Sequence, residues 1–397
     1  IGGYMPAKPG KPALEGKHDE PEDGQKSPNA ALVALSKGYV VASPGARGRT
    51  EPTGKAPAAI VDLKAAVRYL KANDKAMPGD AEKIISNGTS AGGAMSALLG
   101  STSDHQDYEK YLKALGAADG SDKIFAVSAY CPITDLDHAD MAYEWQFNGV
   151  NDYKKMNISM LDYRVKRELV AGTLTDDEKK LSDLLKPLYP AYLNSLNLKS
   201  PEGKPLTLDA QGNGSFKNHI AGLLAQSAQI QLDAGKDLSD RAWLTVRNGK
   251  VVSVDFDAYA KAAGRQKTPP AFDGVDLSAG ENQLFGNNTV DKRHFTAFSM
   301  QHNTAANAKI ADKETVKIMN PLNYIGKPGA NLPQNWRIRV GTNDRDTSLA
   351  VSAVLAAKLQ NNGQTVDYAL PWDVGHGGDY DLDELFAWMK QVSRAAK

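Results

Sequence analysis

The sequence predicts an α/β fold: a mostly parallel sheet flanked by helices and interrupted by a large insertion. Three observations carry this. Apolar strand-like runs alternate with amphipathic helical runs at both ends of the chain. That rhythm stops near residue 137 and resumes near residue 321. A Gly88-Thr89-Ser90-Ala91-Gly92 stretch falls where a strand runs into a helix. The expected organisation is therefore a core over 1–136, an inserted, mainly helical cap over 137–320, and a second part of the core over 321–397.

Each element has its own signal. "KPGKPALEGKHDEPEDGQKSP" (8–28) is rich in Pro, Gly and charge and reads as surface loop. A short helix is expected at 29–37, then a buried strand in "GYVVASPG" (38–45) ending at Pro-Gly. "AAIVDLKAAVRYLKAN" sets Ile60, Leu63, Val67 and Leu70 on one helical face, with Lys and Arg opposite. "EKIIS" and "KIFAVSAYCPITD" read as strands, with a helix over 91–100 between them. Inside the insertion, Thr175 and Glu178 form a capping-box pattern ahead of Leu181, Leu184, Leu185 and Leu188. "WLTVRNGKVVSV" places Asn-Gly between two β-like runs, a hairpin signal. "NWRIRVGTND" and "TVDYALPW" are the last strands. Between them lies a helix stopped by Gly363, and Leu382, Leu385, Phe386 and Met389 mark a terminal helix.

Bulk properties narrow the function classes. Lys+Arg and Asp+Glu are both 47, so no net field favours nucleic acid or an anionic membrane. No apolar run approaches the roughly 18 to 20 residues that span a bilayer. Cys131 is the only cysteine, which rules out an intrachain disulfide and a thiolate metal cage. The chain opens "IGGYMPAKPG" with neither an initiator Met nor a signal peptide, so a leading segment is expected to be missing and the compartment is not assigned.

The chemistry concentrates in three loops. Ser90 alone can be read as a nucleophile on a sharp turn or as a cap on a Gly-rich helix. Asp344 follows the strand "WRIRV" and His376 follows the next one, so the chain order is Ser, Asp, His, with each group at the carboxyl end of a strand. That order favours the nucleophile: His376 would take the Ser90 proton, and Asp344 would fix the imidazole tautomer. The Ala91 N–H at the helix start is one candidate oxyanion donor. Gly3, in the Gly-rich "IGGY", is the candidate for the second.

"GTSAGG" (88–93), "GTNDRDTSL" (341–349) and "WDVGHGGDYDLDELFAW" (372–388) resemble bacterial tannases, serine esterases that split galloyl esters. The likeness extends through the cap stretch "KTPPAFDGVDLSAGENQLFG" (267–286). It implies an α/β-hydrolase fold with a helical cap, a galloyl ester as small-molecule substrate, and no metal or organic cofactor. By position it also implies that Lys267, Glu281 and Asp346 meet the three ring hydroxyls. Those residue types suit the task, because carboxylates accept phenolic donors and Lys favours a phenol of anionic character. The competing readings are a feruloyl or general carboxylesterase, a peptidase on the same scaffold, and a binding protein that has lost catalysis.

Other polar groups read as structural. Asp135, Asp137, His138 and Asp140 superficially offer hard-metal ligands but lack an ion-loop spacing, so a polar loop or helix cap is expected. For Arg47 and Arg49 a packing ion pair is favoured over a substrate role, and Cys131 reads as a small buried apolar residue. His18, His105, His219, His294 and His302 have no partner pattern, and Trp243, Trp336, Trp372 and Trp388 read as packing.

Overall fold

The computed structural model describes residues 1–15, 27–161 and 164–394. His18 and most of the charged 8–28 loop lie outside them. The loop's ends, β1 (Leu14–Glu15) and β2 (Ser27–Pro28), pair antiparallel. Next come α1 (Ala30–Ser36), α2 (Ala58–Ala72), β3 (Ile85–Thr89), α3 (Ala91–Ser101), α4 (Glu109–Leu115), β4 (Ala126–Tyr130) and α5 (Leu136–Phe147). The middle of the chain holds the hairpin β5 (Asp152–Leu161) and β6 (Arg164–Thr173), followed by α6 (Asp176–Leu185), α7 (Tyr189–Ser195) and α8 (Ser215–Asp233). A second hairpin, β7 (Leu244–Arg247) and β8 (Lys250–Val254), leads to α9 (Phe256–Ala263), α10 (Gly280–Leu284), α11 (Ala297–Gln301) and α12 (Lys313–Ile318). The chain closes with β9 (Asn335–Arg339), α13 (Leu349–Asn361), β10 (Thr365–Ala369) and α14 (Leu382–Arg394).

Four strands form a parallel sheet in the order β10-β9-β4-β3. Strand periodicity divides β4 between two cores. Val127 and Ala129 face the cluster that holds Ile60, Leu63 and Val67 of α2, Leu98 of α3 and Leu355 of α13. Ala126 and Tyr130 face Leu385, Phe386 and Met389 of α14, with Val33 of α1 beside them. Helices therefore cover both faces, as a parallel sheet requires.

Several local expectations hold. Thr175 and Glu178 close a capping box, with bonds of 3.2 and 2.8 Å. Asn248 and Gly249 turn the second hairpin with φ of 51° and 71°, the pattern of a type I′ turn. Two expectations need correction. The 38–45 stretch is not a buried strand: Ala46 bridges Ala7 and Gly10 bonds Ser43, so it runs beside the first residues, outside the sheet, and leaves Val40 56% exposed. On α2, Lys64 and Arg68 do not face water. Both are buried on Asp122, at 2.9 and 3.0 Å, and Arg68 also pairs with Glu109. Among the described residues, 137–320 carry no strand of the parallel sheet and hold helices with two antiparallel hairpins, of which the sequence announced only the second. The β5–β6 hairpin was hidden in the sequence by its charges.

Candidate active site

Ser90 immediately follows β3, Asp344 follows β9 and His376 follows β10. All three leave the carboxyl ends of parallel strands and so meet on one rim of the sheet. Ser90 has φ 61° and ψ −121°, a backbone state costly for a residue with a Cβ, and its side chain makes no cap bond to α3. The helix-cap alternative is thereby set aside. The flanking glycines have a steric cause. A Cβ on Gly88 would lie 2.2 Å from Gly92 O, and one on Gly92 would lie 2.4 Å from Ile1 O.

His376 joins the other two residues. Its Nε2 lies 2.6 Å from Ser90 Oγ and its Nδ1 lies 2.9 Å from Asp344 Oδ2. Asp344 is fully buried, and its second oxygen accepts the Asp346 N–H at 2.9 Å. Burial alone would lower the imidazole pKa, but Asp344 and then Asp346 outweigh it and hold His376 well above its ordinary value. Cys131 is buried as expected, with its thiol on Gly377 O at 3.3 Å and 4.0 Å from His376 Nε2.

Gly3 lies against the start of α3. A Cβ there would come within 2.7 Å of Ala91 Cβ and 3.3 Å of Gly92 N, so only glycine admits this approach. The first residues are held by Ile1 N on Asn87 O at 2.8 Å and by Arg49 N on Tyr4 O at 2.7 Å.

The same rim opens into a cleft of about 1900 Å³ lined by Ser90, His376, Lys267, Glu281 and Asp346. Lys267 Nζ lies 3.2 Å from Asp346 Oδ2, an ion pair without hydrogen-bond alignment, and 3.9 Å from the centre of the Phe272 ring. Burial raises the Asp346 pKa, but Lys267 and His376 outweigh it and leave the carboxyl below its ordinary value. Glu281 goes the other way: burial raises it, and Lys267 and Arg49 only partly offset that.

Two further residues line the cleft. Arg49, expected to pack in an ion pair, lines the cleft with its Nη1 on Gln283 Oε1 at 2.6 Å. Arg47 does form the expected pair, with Asp62 at 2.7 Å. Tyr4 is nearly buried beneath the cleft, where burial and Glu281 keep its phenol protonated. "SPGARGR" flagged both arginines without separating them, and nothing marked Tyr4.

Asp135, Asp137 and His138 bring ligand atoms within 4.8 Å of one another. Their bonds are internal to the fold. Asp135 takes His138 Nδ1 at 2.8 Å, Tyr192 OH at 2.6 Å and Asn320 Nδ2 at 2.7 Å, and Asn320 also donates to Asp137 at 2.8 Å. Asp140 accepts the Phe272 N–H at 2.6 Å. His294 is likewise structural, fully buried on Asp273 at 2.7 Å, whereas His302 lines the cleft.

Comparison with known proteins fits this geometry. The family model described as BD-FAE matches residues 16–175. The crystal structure of Fusobacterium nucleatum tannase is 52% identical, with a TM-score of 0.91 over 99% of this chain and 84% of that one. The tannase from Lactobacillus plantarum is 45% identical, with a TM-score of 0.92 over 99% and 84%. A tannin acyl hydrolase in complex with ethyl gallate is 45% identical, with a TM-score of 0.88 over 99% and 83%. A comparison with curated proteins finds no match. The molecule is a carboxylic ester hydrolase built on an α/β-hydrolase fold. The chain belongs to the tannase family. Among the described residues, no helix is long and apolar enough to cross a membrane.

Proposed function

We propose that the protein hydrolyses galloyl ester and depside bonds of hydrolysable tannins, releasing gallic acid through an acyl-enzyme on Ser90. One observation carries this reading. His376 spans Ser90 and Asp344 at 2.6 and 2.9 Å in the same cleft that gathers Lys267, Glu281 and Asp346.

The steps follow from the groups present. Ser90 Oγ attacks the ester carbonyl while His376 Nε2 takes its proton, and Asp344 stabilises the imidazolium from Nδ1. The Ala91 and Gly3 N–H groups hold the oxyanion of the tetrahedral intermediate. His376 then protonates the leaving alcohol, and a water activated by the same nitrogen releases the acid. Asp346 and Glu281 accept ring hydroxyls, and Lys267 favours a hydroxyl with anionic character. A site of this kind discriminates strongly against rings that lack hydroxyls, because the carboxylate oxygens that accept them would then lack hydrogen-bond donors. We assign residues 137–320 as the cap that carries Lys267 and Glu281 over the core formed by 1–136 and 321–397.

Comparing kcat/KM for methyl gallate and methyl ferulate tests the assignment. Gallate should lead by about a hundredfold or more; a lead for ferulate makes the protein a feruloyl esterase instead.

A further inference from the structure

Helix α5 grips both walls of the ring site. Asp140, Tyr143 and Glu144 lie three and four residues apart and share one helical face. Asp140 holds the Phe272 N–H at 2.6 Å. Glu144 pairs with Arg265, both side chains fully buried, and Arg265 Nη1 donates to Lys267 O at 3.1 Å. On the other wall, Gln146 Oε1 accepts the Leu349 N–H at 2.8 Å and the Ser348 hydroxyl at 3.0 Å.

The Tyr143 hydroxyl stands between the two walls. It accepts the Gln266 and Lys267 N–H groups, each at 3.0 Å, and donates to Arg345 O at 2.7 Å. A hydroxyl has one donor and two acceptor positions, and all three are used. Tyr143 is fully buried and does not line the cleft. One oxygen thus joins the backbone of Lys267 to that of the residue before Asp346.

We propose that the Tyr143 hydroxyl is a positioning group for ring recognition, fixing the separation of Lys267 and Asp346 without touching substrate. This rests on the reading of Lys267 and Asp346 as ring partners. The alternative is that Tyr143 only fills space, and its ring does pack, with centroids 4.7 Å from Phe147 and 6.5 Å from Phe272. Tyr143→Phe keeps that packing and removes the oxygen alone. The walls stay linked by Arg345 Nη1 on Ala263 O at 3.2 Å, so the variant should fold with the Lys267 and Asp346 charges displaced.

The test is kcat/KM on methyl gallate and on methyl benzoate, which uses the same triad but offers no ring hydroxyl. In Tyr143→Phe the gallate-to-benzoate ratio should fall roughly tenfold, carried by KM for the gallate, with benzoate turnover little changed. In an Asp346→Asn background the same substitution should leave the ratio unchanged, because the partner it positions is gone. A retained ratio in Tyr143→Phe, or equal losses on both esters, overturns the inference while leaving the ring-site reading intact. A parent enzyme with no gallate preference overturns both. Should Tyr143→Phe give no folded protein by circular dichroism, 3-fluorotyrosine placed at 143 keeps the ring and weakens the oxygen as an acceptor. A lowered ratio there supports the role, and an unchanged one overturns it.

Discussion

His376 faces a carboxylate at each ring nitrogen: Asp344 at 2.9 Å from Nδ1 and Asp346 at 3.8 Å from Nε2. The second bears on the proposed mechanism, in which Nε2 takes the Ser90 proton. Asp346 favours the charged imidazolium, and a charged imidazolium is no base. Asp346→Asn should therefore move the acidic limb of kcat/KM for methyl benzoate to lower pH, by about one unit. A limb that stays put, or moves up, would mean that Asp346 does not act on the histidine.

Ser90→Ala should lower kcat on methyl gallate by roughly 10⁴- to 10⁶-fold, since the triad works as a unit. Gallate affinity measured by calorimetry should stay within a few-fold of the parent value, because the ring partners are untouched. Residual turnover near that of the parent would remove Ser90 from the mechanism.

Glu281→Ala should cost methyl gallate about a hundredfold in kcat/KM and methyl benzoate little. The raised pKa of Glu281 adds a pH signature. As pH falls through it, the carboxylate gains a proton and loses acceptor capacity, so KM for the gallate should rise in mild acid and that rise should vanish in the variant. Equal losses on both esters would make Glu281 a fold residue.

Asp122 neutralises Lys64 and Arg68 inside the fold and also accepts the Asp104 N–H at 2.8 Å. Asp122→Ala strands the buried Lys64 cation and leaves Arg68 with Glu109 alone, and it should lower unfolding free energy by about 3–5 kcal/mol in urea titration. The folded fraction should keep its kcat, because this cluster lies outside the catalytic cleft. Wild-type stability in the variant would mean that water already compensates these cations.

Ser90, Asp344 and His376 were legible as candidates because each sits next to a strand signal, and strand ends are where such groups act. Longer-range relations were not visible. Lys64 and Arg68 occupy helical positions that amphipathic reasoning gives to water, and their partner lies 58 and 54 residues away. The Val-rich run at 38–45 has strand composition, yet its hydrogen bonds go to the end of α1 and to Gly10 instead of the sheet. The β5–β6 hairpin interleaves lysines and arginines with apolar residues, so no continuous hydrophobic run announced it. Arg49 and Tyr143 acquire their roles from contacts with Gln283 and Arg345, more than 200 residues distant. Residue spacing along the chain encodes none of these.

Strands β4 and β9 are hydrogen-bonded neighbours, yet 204 intervening positions, 131 to 334, separate them along the polypeptide. The nucleophile's strand flanks this pair on one side and the histidine's on the other. On the proposed reading, that interval carries the ring partners Lys267 and Glu281 and none of the three hydrolytic residues. Acyl preference can consequently diverge in descendants of this chain while the hydrolytic machinery stays in place, and transplanting a different interval between the two neighbours is a direct route to retargeting the enzyme.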